Sequence, residues 1–171
     1  MKNTFLICGL IIALSGCVSN PLTVSSSFDI AETKRLLQSG SNMIRGSALI
    51  RQRGGGVVSC AGMEVALIPV TPYSSERISA LYGSTEKGFN SAGLGGRRIS
   101  FENEPPEYRK LQKKVLCDAQ GFFKFDQVAN GSFFVASVIT WKVNDYFFEG
   151  GALMQRVTLT GGETKEIVLA P

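Results

Sequence analysis

The chain has 171 residues, of which 18 are basic and 14 acidic, giving a formal net charge of +4, and it contains no histidine. A charge this mild, with acids and bases interspersed, does not form the dense basic stripe that nucleic-acid binding requires. The absence of histidine excludes serine–histidine and cysteine–histidine catalysis and removes the commonest zinc ligand. We therefore expect no catalytic set, no metal and no cofactor in this protein.

The first residues have the organisation of an export signal. Lys2 supplies a positive start, and residues 5–14 form an apolar run that is interrupted only by small residues and one cysteine. A helix needs about 20 apolar residues to cross a bilayer, so this run is too short for a transmembrane anchor. It is typical of a cleaved signal peptide, which we assign to residues 1–16.

The end of that run, Leu14-Ser15-Gly16-Cys17, resembles the lipobox of bacterial lipoproteins. The resemblance implies that Cys17 is lipidated and becomes the first residue of the mature chain, which several acyl chains then hold stably on a membrane. Val18 stands where an aspartate would favour the inner membrane, so the resemblance implies the inner leaflet of the outer membrane, facing the periplasm. We predict residues 17–28, which are rich in serine and threonine, to be the tether.

Removal of the signal and lipidation of Cys17 leave two cysteines, Cys60 and Cys117. In an oxidising compartment two such thiols most simply form a disulfide. It would close a loop of about 58 residues, for which the chain-entropy model gives about 4 kcal/mol of stabilisation. A redox-active pair is the alternative, but the close spacing that lowers a thiol pKa is missing.

Residues 29–171 are long enough for one domain with its own core. The domain begins with a short predicted helix over residues 29–38, capped by Asp29. Beyond this helix, short alternating apolar segments separated by glycine-containing and asparagine-containing turns predict about seven strands, which favours an all-β sandwich. The predicted strands cover residues 44–50, 63–70, 111–117, 122–126, 133–143, 154–160 and 164–169.

An insertion over residues 71–108 separates the second and third of these strands. It is predicted to contain one or two helical turns over residues 73–82 and an exposed loop over residues 83–96. Long ordered loops tend to carry function, so aromatic and charged residues here are candidates for contacting a protein partner, with a variable loop of no consequence as the alternative. The candidates are Tyr73, Glu76, Arg77 and Tyr82. The acidic residues near the end of the insertion, Glu102, Glu104 and Glu107, are predicted to be solvated.

The third to fifth strands carry the most specific pattern in the chain. Cys117-Asp118-Ala119-Gln120-Gly121-x-Phe123-x-Phe125 leads through Val128 and Gly131 to Phe133 and Val135. This pattern resembles the carboxypeptidase regulatory-like domain. The resemblance extends over residues 44–170 apart from the insertion, and it implies a transthyretin-like, or prealbumin-like, Greek-key β-sandwich. Members of that family share no active site, so the resemblance assigns no activity.

The aromatic residues divide into two groups. Phe123, Phe125 and Phe133 fall on facing sides of paired strands and are predicted to fill the core. The second group stands where the predicted fifth strand meets a loop, and it forms either core or an exposed aromatic patch for a partner. Its members are Trp141, Tyr146, Phe147 and Phe148.

Two functions of different classes remain open from the sequence. The first is a non-catalytic, membrane-anchored envelope lipoprotein that binds or scaffolds a protein partner, with the insertion as the contact surface. The alternative is an envelope module that binds carbohydrate or peptidoglycan through the aromatic residues at positions 141–148. In both cases the partners expected are the membrane, through the lipid on Cys17, and an envelope component. Nucleic acid and a small-molecule substrate are not expected.

Overall fold

The computed structural model describes residues 21–93 and 95–171, so the predicted signal peptide and Cys17 lie outside the described residues. The helices are α1 (Ile30–Leu36), α2 (Pro72–Tyr82) and α3 (Pro106–Lys110). The strands are β1 (Ser39–Arg51), β2 (Val57–Ser59), β3 (Glu64–Pro69), β4 (Lys87–Ser91), β5 (Lys113–Leu116), β6 (Phe122–Val128), β7 (Gly131–Asn144), β8 (Phe147–Leu159) and β9 (Thr164–Leu169). In these two described ranges, no helix combines the length and the apolar character needed to cross a bilayer.

Two sheets form a sandwich, which confirms the predicted all-β fold class. In sheet 1 the central strand β1 pairs antiparallel with β2 and β6 and parallel with β9. Sheet 2 has the strand order β4-β8-β7-β3-β5, and all of its pairs are antiparallel. The facing sides of the two sheets supply one continuous core.

Alternation along the strands sends the predicted core residues inward. Phe133, Val135 and Ile139 of β7 are fully buried, and Phe123 and Phe125 of β6 meet them from sheet 1 with their own ring centroids 6.1 Å apart. Burying a side chain of this size contributes about 1.5–3 kcal/mol. The prediction that these phenylalanines form the core is confirmed. The expected pairing of their two strands is wrong, because β6 pairs with β1 in sheet 1 and β7 pairs with β3 and β8 in sheet 2, so the rings meet across the sandwich.

Two strands and one long extension were not predicted. The three-residue β2 is short, and β4 falls within residues 83–96, which were wrongly predicted to be an exposed loop. Gly88 and Asn90 give β4 little intrinsic strand preference, and its pairing with β8 overrides that preference. Strand β8 begins at Phe147, well before the predicted residue 154, because Gly150 and Gly151 interrupt the sequence alternation without interrupting the pairing.

The outer side of sheet 2 is covered by what we call the helical layer, which comprises residues 21–28, α2 and residues 100–110. Thr71 caps α2, since its hydroxyl accepts from the Ser74 amide while the Ser74 hydroxyl accepts from the Thr71 amide. The layer packs a second, smaller core onto Phe134 and Met154 of the sheet. Residues 21–28 therefore pack against the domain, and the expectation of a free tether is wrong for this part of the chain.

The disulfide predicted between Cys60 and Cys117 is confirmed, with the two Cα atoms 5.7 Å apart. Cys60 follows β2 in sheet 1, and Cys117 follows β5 in sheet 2. The bond therefore joins the two sheets covalently at one end of the sandwich.

Removing this crosslink should destabilise the domain without changing its fold. The double variant Cys60→Ala/Cys117→Ala should lose about 4 kcal/mol of unfolding free energy, because the unfolded chain regains the entropy of an open loop. Urea denaturation followed by circular dichroism measures the loss, and the reduced, alkylated wild type is the control. A loss below about 1 kcal/mol would contradict a stabilising role.

Candidate functional site

Two of the four candidate residues of the insertion are buried in the helical layer. Tyr73 and Arg77 are each 4% exposed, and both point into the small core that joins α2 to sheet 2. The expectation of an exposed contact surface is wrong for these two residues. The physical reason is that α2 is amphipathic and lies on the sheet, so its central residues face inward.

The buried guanidinium of Arg77 is surrounded by partners from the same chain. It forms an ion pair with Glu104, and its Cζ atom lies 3.8 Å from the ring centroid of Phe101 and 4.7 Å from that of Tyr108. A buried charge requires such a paired and stacked environment. Glu104 is therefore a partly buried structural residue that also pairs with Arg109, and its predicted placement in a solvated loop is wrong.

Glu76 uses its carboxylate to hold the N-terminal part of the domain. One oxygen accepts the amide of Ser25 at 2.7 Å, and the other accepts the amide of Ser26 at 3.0 Å and the hydroxyl of Ser25 at 2.9 Å. The hydrogen bonds from the backbone amides of Ser25 and Ser26 favour the charged form and lower the pKa of Glu76 to about 2. In the described structure Glu76 thus makes contacts within the chain.

Tyr82, the fourth candidate, is half-buried at the end of α2. Its side chain covers Gly88 of β4, where an added Cβ would lie 2.5 Å from the Tyr82 Cβ. Burial raises the pKa of Tyr82 to about 12, so the phenol is neutral at any physiological pH. The contacts described for all four candidates therefore lie within the chain.

The aromatic residues at positions 141–148 are divided between two surfaces. Trp141 and Phe147 are half-buried and line a cleft at the open end of the sandwich. Tyr146 is 97% exposed at the tip of the β7–β8 hairpin, and Phe148 is exposed beside it outside the cleft. The sequence grouped Trp141 with Tyr146 and Phe148, and the structure places them on different surfaces.

This end cleft lies between the turn that follows β1 and the inner side of β4, β7 and β8. Its volume is about 430 Å³, within the range of small-ligand sites. Aromatic and charged residues contributed by segments far apart in sequence line it. They include Arg51, Arg53, Phe89, Trp141, Phe147 and Glu149.

Glycines let the aromatic rings approach the strands that form the cleft. A Cβ at Gly150 would lie 2.9 Å from Cζ3 of Trp141, and a Cβ at Gly151 would lie 2.7 Å from Cε2 of Phe89. Gly150 also has φ of +93°, a conformation that other residues rarely adopt. The paired glycines of β8 therefore shape the aromatic wall of the cleft.

Three charged residues of the cleft have no internal partner among the described residues. The ion pairs found there do not involve Arg51, Arg53 or Glu149. Glu149 stands directly opposite Trp141 in the β7–β8 pair, so the two side chains share one face. The cleft therefore combines an aromatic surface with charged groups that are free to bind a polar ligand.

The cleft does not offer the usual apparatus for cleaving a glycoside. That reaction generally uses a pair of carboxylic side chains on either side of the bond. Glu149 is the one acidic side chain among the described residues that line the cleft. The arrangement is suited to binding.

A second concave surface, which we call the outer groove, lies on the outer side of sheet 1. It has a volume of about 890 Å³ and is lined by residues of β1, β6 and β9, with Leu116 of β5 at its margin. Leu116, Phe122 and Val168 are 69%, 57% and 54% exposed there. Of the charges on this face, Arg45 pairs with Glu166 and Lys124 with Asp126, and the Asp118 carboxylate accepts the amides of Gln120 and Phe122. The groove is therefore mainly an apolar surface.

Sequence reasoning missed Arg51, Arg53 and Glu149 as cleft residues. Arg51 and Arg53 end a strand beside a run of three glycines, which indicates a turn but not what the turn faces. Glu149 lay in a segment that was not predicted to be a strand. Phe122, in the outer groove, carried a readable signal, since it is an outward-facing aromatic next to the inward-facing Phe123.

Acidification should release the N-terminal part of the domain from Glu76. A carboxylate with a lowered pKa stabilises the docked state above its ordinary pKa of 4.5, and that stabilisation is lost as the pH falls towards 2. The amide proton shifts of Ser25 and Ser26, followed by nuclear magnetic resonance, should change with a midpoint near 2. Glu76→Gln should remove this titration, and a wild-type midpoint at or above 4.5 would contradict the contact.

The chain was compared with known proteins at the level of sequence and of fold. No family model matches it, and no curated protein does. A crystal structure from Pseudomonas aeruginosa, of a protein proposed to bind carbohydrate, is similar in fold with a TM-score of 0.70 and 23% sequence identity. The match covers 85% of this chain and 99% of the other. At this identity the likeness shows that the two proteins share the β-sandwich fold.

Proposed function

We propose that this protein is a non-catalytic envelope lipoprotein whose β-sandwich binds carbohydrate in the end cleft. The observation that carries the proposal is the half-buried Trp141 beside charged residues without internal partners, Arg51, Arg53 and Glu149. Sugars present apolar C–H faces ringed by hydroxyl groups. An aromatic wall packs against the C–H faces, and guanidinium and carboxylate groups form hydrogen bonds with the hydroxyl groups.

The fold comparison supports this choice between the two functions left open by the sequence. The similar protein from Pseudomonas aeruginosa is itself proposed to bind carbohydrate. A shared sandwich does not transfer a ligand, because function resides in the site. The end cleft supplies such a site in this chain, with a volume of about 430 Å³ that suits one or two sugar rings.

The envelope location rests on the start of the chain. The proposal includes a signal peptide over residues 1–16, a lipid on Cys17 and the inner leaflet of the outer membrane as the site of attachment. Support comes from the lipobox-like sequence before Cys17 and from the disulfide between Cys60 and Cys117, which suits an oxidising compartment. The carboxypeptidase regulatory-like resemblance is part of the same proposal.

A protein partner is the second candidate, and the outer groove favours it. Its exposed residues Leu116, Phe122 and Val168 come from three separate elements and lie on one face. Contiguous apolar surface of this kind is typical of protein contacts. The partner surface proposed here differs from the insertion that the sequence pointed to, since most of the insertion's candidate residues make internal contacts.

Replacing Trp141 should weaken the binding of carbohydrate. Trp141→Ala should weaken retention on peptidoglycan sacculi, or binding to any glycan recognised on an oligosaccharide array, by about tenfold or more, the loss expected for a central aromatic contact. Trp141→Phe keeps an aromatic ring and should retain part of the affinity, and thermal melting separates lost binding from lost folding.

Phe122→Ala is the matched control, because it removes an exposed aromatic from the outer groove and leaves the cleft intact. It should bind glycans as the wild type does. A folded Trp141→Ala variant with unchanged glycan binding, or a loss confined to Phe122→Ala, would move the site out of the cleft and contradict the proposal.

The lipid anchor is tested separately from the cleft. Cys17→Ser should lose metabolic labelling with palmitate, because the thiol that accepts the lipid is gone. It should also leave the outer-membrane fraction, either as a released domain or as an unprocessed precursor. Wild-type fractionation by this variant would show that the lipid is not the anchor.

A further inference from the structure

Residues 21–28, which we call the N-terminal segment, are fixed at both ends to the rest of the helical layer, α2 and residues 100–110. Near its start, the Leu22 amide donates to the Ser100 carbonyl at 2.8 Å, and the Leu22 carbonyl accepts from the Glu102 amide at 3.1 Å. The Thr23 hydroxyl donates to the Glu102 carboxylate at 3.0 Å. These bonds tie the segment to the strand-like stretch that carries Phe101.

The rest of the segment is held by α2 and α3. Ser25 and Ser26 are bound by the carboxylate of Glu76. The ring of Phe28 then packs between Tyr73 of α2 and Tyr108 of α3, with centroid distances of 5.3 and 5.7 Å. Polar bonds and an aromatic cluster thus hold the segment along its whole length.

The helical layer and the outer groove lie on opposite sides of the molecule. The helical layer covers the outer side of sheet 2, and the groove is formed on the outer side of sheet 1. Stacked sheets lie about 10 Å apart and a helix has a diameter of about 10 Å, so the outer surface of the helical layer and the outer groove are separated by more than about 20 Å.

We infer that the docked N-terminal segment sets how the domain stands on the membrane, with the helical layer towards the lipid and the outer groove turned away. This inference rests on the proposed lipid at Cys17. A chain spans at most about 3.6 Å per residue, so Leu22 lies within about 18 Å of Cys17. That reach is shorter than the width of the domain, and the groove therefore cannot turn towards the bilayer while the segment stays docked.

A free tether would have a different consequence. With residues 17–28 undocked, the first anchored residue would be Asp29, and the reach would rise to about 43 Å. The domain could then present any face to the membrane. Docking therefore turns a flexible tether into a short one and leaves the outer groove open to a partner in the periplasm.

Energy transfer to the membrane tests this orientation in the full lipidated chain. A single donor fluorophore is placed on Ser79→Cys in α2 or on Lys124→Cys in the outer groove, both exposed positions. The native disulfide leaves the new thiol as the reactive one. In phosphatidylethanolamine–phosphatidylglycerol vesicles that carry an acceptor on the lipid headgroup, transfer should be at least about twofold greater from position 79, because the two faces differ in distance by more than the tether can span.

Releasing the segment should remove the difference. Leu22→Pro/Thr23→Ala/Phe28→Ala/Glu76→Ala removes the Leu22 amide and Thr23 hydroxyl bonds at one end and the aromatic and carboxylate contacts at the other. Transfer from the two positions should then converge. Glu86→Ala is the matched control, since Glu86 pairs with Arg156 and does not touch the N-terminal segment.

The possible outcomes separate this inference from the proposed function. Co-sedimentation with vesicles and palmitate labelling report lipidation directly. If the wild type is lipidated and transfers equally from both positions, or more strongly from position 124, the orientation is wrong and the anchor stands. If the wild type is not lipidated, both the anchor and the orientation are overturned.

Discussion

The buried charge of Arg77 is the constraint on which the helical layer depends. A guanidinium that is 4% exposed must be paired, and Glu104 pairs with it while Phe101 and Tyr108 stack against it. These partners come from the part of the insertion that returns to the sheet after β4. One interaction therefore joins α2, the returning chain and α3. Phe28 of the N-terminal segment packs against Tyr108 and against Tyr73 of α2.

The long β7–β8 hairpin, in the middle of sheet 2, contributes both to the sandwich core and to the end cleft. The half that contains Phe133 and Val157 contributes side chains to the sandwich core. The outer half, residues 141–149, is half-buried or exposed. The end cleft exists because Trp141 and Glu149 lie in that outer half, opposite the turn that carries Arg51 and Arg53. The sandwich core and the candidate cleft thus use consecutive parts of one element.

The two concave surfaces differ in chemistry and in position. The end cleft has aromatic residues with unpaired charges, which suits a sugar. The outer groove has apolar residues with paired charges, which suits a protein. The proposed anchor on the opposite side of the domain leaves the groove accessible, so the proposed glycan and the proposed protein partner have separate surfaces.

Local patterns in the sequence determined the all-β class, the capped first helix, the inward phenylalanines and the disulfide. Each depends on neighbouring residues or, for the disulfide, on how few cysteines remain. Tertiary structure alone decided that Arg77 is buried, that Glu76 holds Ser25 and Ser26, and that Arg51 and Trp141 line one cleft. These contacts join residues far apart in the chain, and their energy comes from burial and pairing that no local pattern encodes.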